Sequence, residues 1–139
     1  MIFSIGYQGL PVPQFQAIVQ DNNIDIVIDV RSKPNGRAFQ YNRNALEVML
    51  KEMGKAYLYK GDVLGGFTPC DLEALEWLTE IIHSGKRYLL LCFEADPRTC
   101  HRHYILSRYL GANGIEVTHI LADGRKVYES DLNLQPSLL

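Results

Sequence analysis

Two rhythms alternate along the chain: short, nearly continuous apolar runs, and stretches in which apolar residues return every three or four positions. Ile2–Ile5 is a short apolar run ending at Gly6. Residues 11–22 predict a helix, with Pro11 or Pro13 in its first turn and Phe15, Ile18 and Val19 on one face. Ile24–Val30 is rich in β-branched residues and predicts a strand buried on both faces. Residues 31–41 are polar and hold Pro34 and Gly36, so they predict a loop. Asn42 then suits the N-cap of a helix over 43–54 that turns Ala45, Leu46, Met49, Leu50 and Met53 inward and stops at Gly54.

The second half repeats the alternation. Ala56–Tyr59 predicts a third strand, and the segment KGDVLGGFTPC a loop. Asp71 or Thr68 caps a helix over about 71–84 that buries Leu72, Leu75, Leu78, Ile81 and Ile82 and ends at Gly85. Arg87–Phe93 is the strongest strand signal and breaks at Glu94. Pro97 opens a long helix to about Gly111, with Tyr104, Ile105, Arg108 and Tyr109 at helical spacing. Glu116–Leu121 predicts a fifth strand, and Asp123-Gly124 a turn into a short tail strand, Lys126–Tyr128.

Strands alternating with helices of this length predict one α/β domain over residues 1–139. The expected form has three layers, Rossmann-like, around a mostly parallel five-stranded sheet with right-handed crossovers. Ligands of such sheets bind beyond the carboxyl ends of the strands, near a topological switch point. Gly6-Tyr7 follows the first strand, Asp29 and Arg31 end the second, Gly65-Gly66 follow the third, and Cys92 and Glu94 end the fourth. Most unusual polar and glycine residues therefore fall on one edge, which is where a site belongs.

Composition narrows the class without naming a reaction. At 139 residues, 47% hydrophobic and 22% charged, the chain is neither disordered nor a disulfide-dense miniprotein. A net charge of −2 gives no global basic field, so a polyanion would need a local patch. The N-terminus lacks the basic region and apolar core of a signal peptide, and no apolar run approaches the roughly 18 residues of a membrane span. Three cysteines, an odd number, fit a reducing compartment, so a cytoplasmic location is expected.

The densest chemistry is the string Cys92-Phe-Glu94-Ala-Asp96-Pro97-Arg98-Thr-Cys100-His101-Arg102. A cysteine between a strand and a helix start feels nearby cations and the helix dipole, which favour its thiolate. Cys92 to Arg98 fits C-x-x-x-x-x-R, as in cysteine phosphatase loops. Glu94, Asp96 and Pro97, however, stand where such loops need glycine amides. Cys92 is equally readable as a small core residue. Cys100, His101 and Arg102 fall in the first turn of the predicted helix, where unpaired N–H groups favour an anion. Adjacent ligands on a helix diverge by about 100°, so not all of Cys100, His101 and His103 can converge, and no metal or other cofactor is expected.

A second candidate is the basic loop. Arg31, Lys33, Arg37 and Arg43 supply four cations in thirteen residues without an acid, and Phe39 and Tyr41 interleave with them. That suits phosphate and base stacking. Asp29, at the end of a buried strand, needs a partner, and Arg31 is the nearest.

These same residues carry a resemblance. SIGYQGL, IDVRSKPNGR with Asn42-Arg43, the LGG at 64–66 and LLLCFEADPRTCHR resemble the domain of unknown function 488 family along essentially the whole chain. The matching positions are Gly6, Tyr7, Asp29, Arg31, Gly65, Gly66, Cys92, Glu94, Cys100, His101 and Arg102. Tyr7 departs from the histidine commoner there, and Arg98 is not part of the string. The resemblance implies an α/β fold and no established activity.

Two functional classes stay open. One is an enzyme acting on a small phosphorylated or nucleotide-like ligand. Tyr7, Asp29, Arg31, Arg37, Gly65, Gly66 and Arg102 would line or hold its anion-binding cleft, with Glu94 or His101 as acid and base and Cys92 or Cys100 as nucleophile. The other is a non-catalytic module binding nucleic acid or protein through loop 31–43. The acids Glu94 and Asp96 beside His101 suit a nucleic-acid backbone poorly and favour the enzyme. No membrane partner is expected.

Overall fold

The computed structural model describes residues 1–66 and 70–134. Its strands are β1 (Ile2–Gly6), β2 (Ile26–Asp29), β3 (Ala56–Tyr59), β4 (Tyr88–Cys92), β5 (Val117–Ile120) and β6 (Lys126–Tyr128). They form one sheet in the order β3-β2-β4-β1-β5-β6. All neighbours are parallel except β5 and β6, which pair antiparallel. The expected five-stranded sheet thus has a sixth strand, because the tail residues after the Asp123-Gly124 turn fold back onto β5.

Buried side chains alternate along the central strands. In β4, Leu89 and Leu91 join one core with Phe3, Ile5, Phe15, Val27 and Leu46, while Tyr88, Leu90 and Cys92 join the other with Ile28, Leu78, Leu106 and Leu110. Helices α1 (Val12–Asp21) and α2 (Arg43–Glu52) cover the first face; α4 (Leu72–Ile81) and α5 (Arg108–Ala112) cover the second. A short α3 (Gly61–Leu64) forms inside the segment expected to be a loop, and Leu64 is fully buried there. In α2, Leu46 and Leu50 are buried as expected, but Ala45 is exposed.

Caps explain several boundaries. Asp71 accepts hydrogen bonds from the N–H groups of Glu73 and Ala74 at the start of α4; Thr68, the other candidate cap, lies outside the described residues. Asn42 occupies the N-cap of α2 but uses its Oδ1 on the Gly36 N–H (2.7 Å), while Asn35 Oδ1 accepts from the Arg43 N–H (3.2 Å). The 31–41 loop is therefore stitched to the helix it precedes.

The expected long helix over 97–111 is three pieces: a 3-10 turn Pro97–Thr99, a π-helix Arg102–Ser107, and α5. Cys100 has extended backbone (φ −120°, ψ 147°) and separates the first from the second. The buried face of the π-helix is Arg102, His103, Leu106 and Ser107, whereas Tyr104 and Arg108 are exposed. A largely polar buried face is what apolar periodicity cannot find.

Candidate functional site

The chain leaves β1 to build α1 on one face and leaves β4 to build the π-helix and α5 on the other, and β1 and β4 are neighbours. That divergence opens a crevice at their carboxyl ends, as expected at a switch point of a parallel sheet. A cavity of about 270 Å³ lies there. Six of the sequence-predicted residues line it: Tyr7, Arg31, Gly66, Cys92, Glu94 and His101. Lys33 of the basic loop completes the wall with Ser32, Phe93 and Tyr104, which the sequence did not single out, since a lone hydroxyl or aromatic carries no distinctive signal there.

Backbone geometry places the reactive side chains. The N–H groups of Tyr7 and Gln8 donate to the carbonyls of Cys92 (3.1 Å) and Phe93 (2.9 Å), carrying the β1–β4 pairing past the strand ends. A Cβ on Gly6 would lie 1.8 Å from the Glu94 carbonyl oxygen, so only glycine lets the loop after β4 cross β1. Gly65 has the same role against the Ser32 hydroxyl, and Gly66 lies against the His101 ring. The three glycines therefore shape the cleft by close approach.

Cys92, Cys100 and His101 form one buried cluster. The two sulfurs are 2.6 Å apart, and His101 Nδ1 lies 3.7 Å from Cys92 Sγ and 3.6 Å from Cys100 Sγ. Cys92 Sγ also lies 3.3 Å from Glu94 Oε2. As expected, Cys100, His101 and His103 do not all converge; the first two meet because Cys100 is extended, so no helical turn separates the pair. His103 points elsewhere, to Glu129 (2.6 Å). The donor atoms of Cys92, Cys100 and His101 lie within 4.8 Å of one another, so these three could hold a metal ion.

The cluster polarises its members in opposite directions. Donation from Cys100 brings the Cys92 thiol down to about 6 against the cost of burial, with His101 and Arg102 adding to the effect. The same bond and burial push Cys100 up, leaving it the protonated partner. Burial disfavours the charged form of His101, but Cys92, the Leu64 carbonyl and Glu94 outweigh it and raise the imidazole. His101 Nε2 is buried with no hydrogen-bond partner among the described residues. Burial raises Glu94, yet hydrogen bonds from Cys100 and Cys92 and the charge of Arg102 leave it lowered.

The remaining predicted residues stand behind or beside the cavity. Asp29 is fully buried and accepts two bonds from the Arg31 side chain (2.9 and 2.8 Å), one from its N–H (3.1 Å) and one from the Tyr57 hydroxyl (2.5 Å). It therefore fixes the guanidinium whose other side faces the Tyr7 ring, 5.1 Å away. Arg102 is fully buried and does not line the cavity; its guanidinium donates to the carbonyls of Glu94 (2.6 Å) and Ala95 (3.3 Å). Neither Glu94 nor Asp96, the acids nearest it in the string, gives its carboxylate to Arg102: Asp96 pairs with Arg98 (3.0 Å) and Glu94 Oε2 lies against Cys92 Sγ (3.3 Å). Arg37 is exposed and outside the cavity wall. The aromatic pair of the basic loop is split: Phe39 is 75% exposed, while Tyr41 is buried and stacked on Tyr7 at 4.7 Å. The helix start expected to offer free N–H groups is used internally, since His103 and Tyr104 donate theirs to the Cys100 carbonyl.

Residues 11–70 match the family described as Domain of unknown function DUF488. That stretch, 60 of the chain's 139 residues, is similar to the family. It supplies Asp29, Arg31, Gly65 and Gly66 of the site, while the string from Cys92 to Arg102 and the Gly6-Tyr7 pair lie outside the matched residues. No curated protein and no solved structure matches the chain. Among its described residues no helix is long and apolar enough to cross a membrane.

Proposed function

We propose that this chain is a thiolate-dependent enzyme, a hydrolase or group transferase acting on a small ligand with an anionic group. The observation that carries the reading is Cys92: it opens onto the cavity, and Cys100 and His101 on its buried side favour its thiolate. Cys92 attacks an electrophilic carbon or phosphorus, and the leaving group takes a proton from His101. Water, activated by Glu94, or an acceptor group then releases the bound fragment. Arg31, held rigid by Asp29, and Lys33 supply positive charge along the same wall. The split of Phe39 from Tyr41 counts against the alternative of a stacking surface for nucleic acid.

Two measurements test it. Alkylation of Cys92 by iodoacetamide, followed by mass spectrometry in a Cys70→Ser background, should reach half its maximal rate near pH 6, where the thiol ionises. A profile centred near the ordinary thiol value of about 8.5 would remove the nucleophile. A thermal-shift screen of phosphorylated and nucleotide-like compounds should find a ligand that stabilises by about 2.7 kcal/mol at a hundred times its Kd.

A further inference from the structure

In acyl or phosphoryl transfer the second thiol would do no more than steady the thiolate of the first. Cys100 is 1% exposed, does not line the cavity, and lies directly behind the sulfur that does. A buried thiol in contact with a nucleophilic sulfur is useful where that sulfur changes oxidation state. A metal shared by the two cysteines and His101 is the competing occupant. Two thiolates on one tetrahedral zinc, with Zn–S about 2.3 Å, stand about 3.8 Å apart. The sulfurs here are 2.6 Å apart, nearer to the roughly 2.05 Å of a disulfide than to that spacing.

We propose that Cys92 and Cys100 form a thiol–disulfide couple that reduces small hydroperoxides entering the cavity. This deepens the nucleophile reading of Cys92 and rests on it. The Cys92 thiolate attacks the terminal oxygen of ROOH; the O–O bond breaks, the alkoxide takes a proton to leave as ROH, and sulfur is oxidised to the sulfenic acid. The Cys100 thiol gives its proton to His101 as its sulfur attacks Cys92. The S–O bond breaks as the S–S bond forms, and the departing hydroxide takes that proton and leaves as water. An external dithiol then reduces the disulfide by exchange and is itself oxidised, which restores both thiols. Arg102 supports the step by pinning the 94–95 carbonyls, and with them the loop that joins the two cysteines. The cavity, about 270 Å³, suits hydrogen peroxide or a short alkyl hydroperoxide.

The test uses the full chain carrying Cys70→Ser, treated with one equivalent of hydrogen peroxide and read by intact mass and thiol titration. The expected product has lost two hydrogens and both thiols, and dithiothreitol restores it. Cys100→Ser and Cys100→Ala should instead accumulate oxygen on Cys92 and lose peroxide turnover with dithiothreitol, while Cys92→Ser should consume none. The wild-type pair is decisive even if a site variant does not fold. Rapid alkylation of Cys92 near pH 6 together with over-oxidation and no disulfide overturns the couple and leaves the nucleophile standing. Inert thiols towards both reagents overturn both. An equimolar divalent metal that survives purification, measured by elemental analysis, and protects both cysteines overturns the couple in favour of a metal centre.

Discussion

Arg102 is the residue on which the cluster depends most, though for a different reason than its acidic neighbours suggested. Its buried guanidinium satisfies two main-chain carbonyls and carries the positive charge that lowers Cys92 and Glu94. Truncation to alanine leaves those carbonyls unpaired in the interior and empties a large volume, so Arg102→Ala should cost about 3–5 kcal/mol. Cys100→Ala removes one sulfur and should cost about 1 kcal/mol. Urea melts run side by side decide the order; a cysteine variant that collapses while the arginine variant melts like wild type would reverse it. In the sequence, a basic residue in one string with Glu94 and Asp96 points to carboxylate partners. The sequence could not show that the partners are carbonyls, because that depends on how the loop after β4 folds over β1.

Among elements, the strands were the most legible, since a β-branched run buried on both faces has few other structures open to it. β3 matches its expected span, and the carboxyl-edge grouping of Tyr7, Arg31, Cys92 and Glu94 followed from strand alternation alone. The segment from Pro97 to Ala112 was not legible. Its buried face holds Arg102, His103 and Ser107, and the turn that brings Cys100 to His101 is a local break in helical backbone. A helical wheel assumes continuity and so separates residues that the break unites. The crossing of that loop over β1 has a direct check. Gly6→Ala drives a Cβ into the Glu94 carbonyl and should cost about 3–5 kcal/mol, whereas Gly36→Ala, with open space around it, should stay within about 0.5 kcal/mol. Equal thermal melting points for the two variants would contradict the packing.

For the whole molecule, Glu129 acts as a clasp. One oxygen accepts from His119 Nε2 (2.8 Å) and the other from His103 Nδ1 (2.6 Å), while His119 Nδ1 meets the Ser4 hydroxyl. The tail after β6, strand β5, the π-helix and β1 are thus joined at one carboxylate. Nothing in its polar sequence context announced Glu129. Glu129→Gln replaces an acceptor of two donors with an amide and should cost about 2–4 kcal/mol at pH 7. The pH dependence has a definite sign. Burial raises Glu129, but the two histidine bonds leave it lowered, so its contribution is present above its unfolded value and lost as the pH falls through the folded one. Burial pushes His119 down, so its neutral form favours folding above about pH 6.5 and that support fades on acidification. Melting temperatures should therefore fall from pH 7 to 4, and the gap between wild type and Glu129→Gln should narrow; a constant gap would mean the carboxylate carries no charge-dependent stability.

The sheet order also bears on how the chain is made. β1 lies between β4 and β5, pairing Ile2 with Tyr88 and with Val117. During synthesis β1 therefore precedes both of its neighbours and has none until β4 follows. Until then β2 can pair only with β3, and β1 waits with neither edge covered. Such late pairing makes folding slow and leaves the early strands exposed to wrong contacts. The centre of the sheet thus stays unpaired until the strand that ends at the cavity-facing cysteine has been made and released.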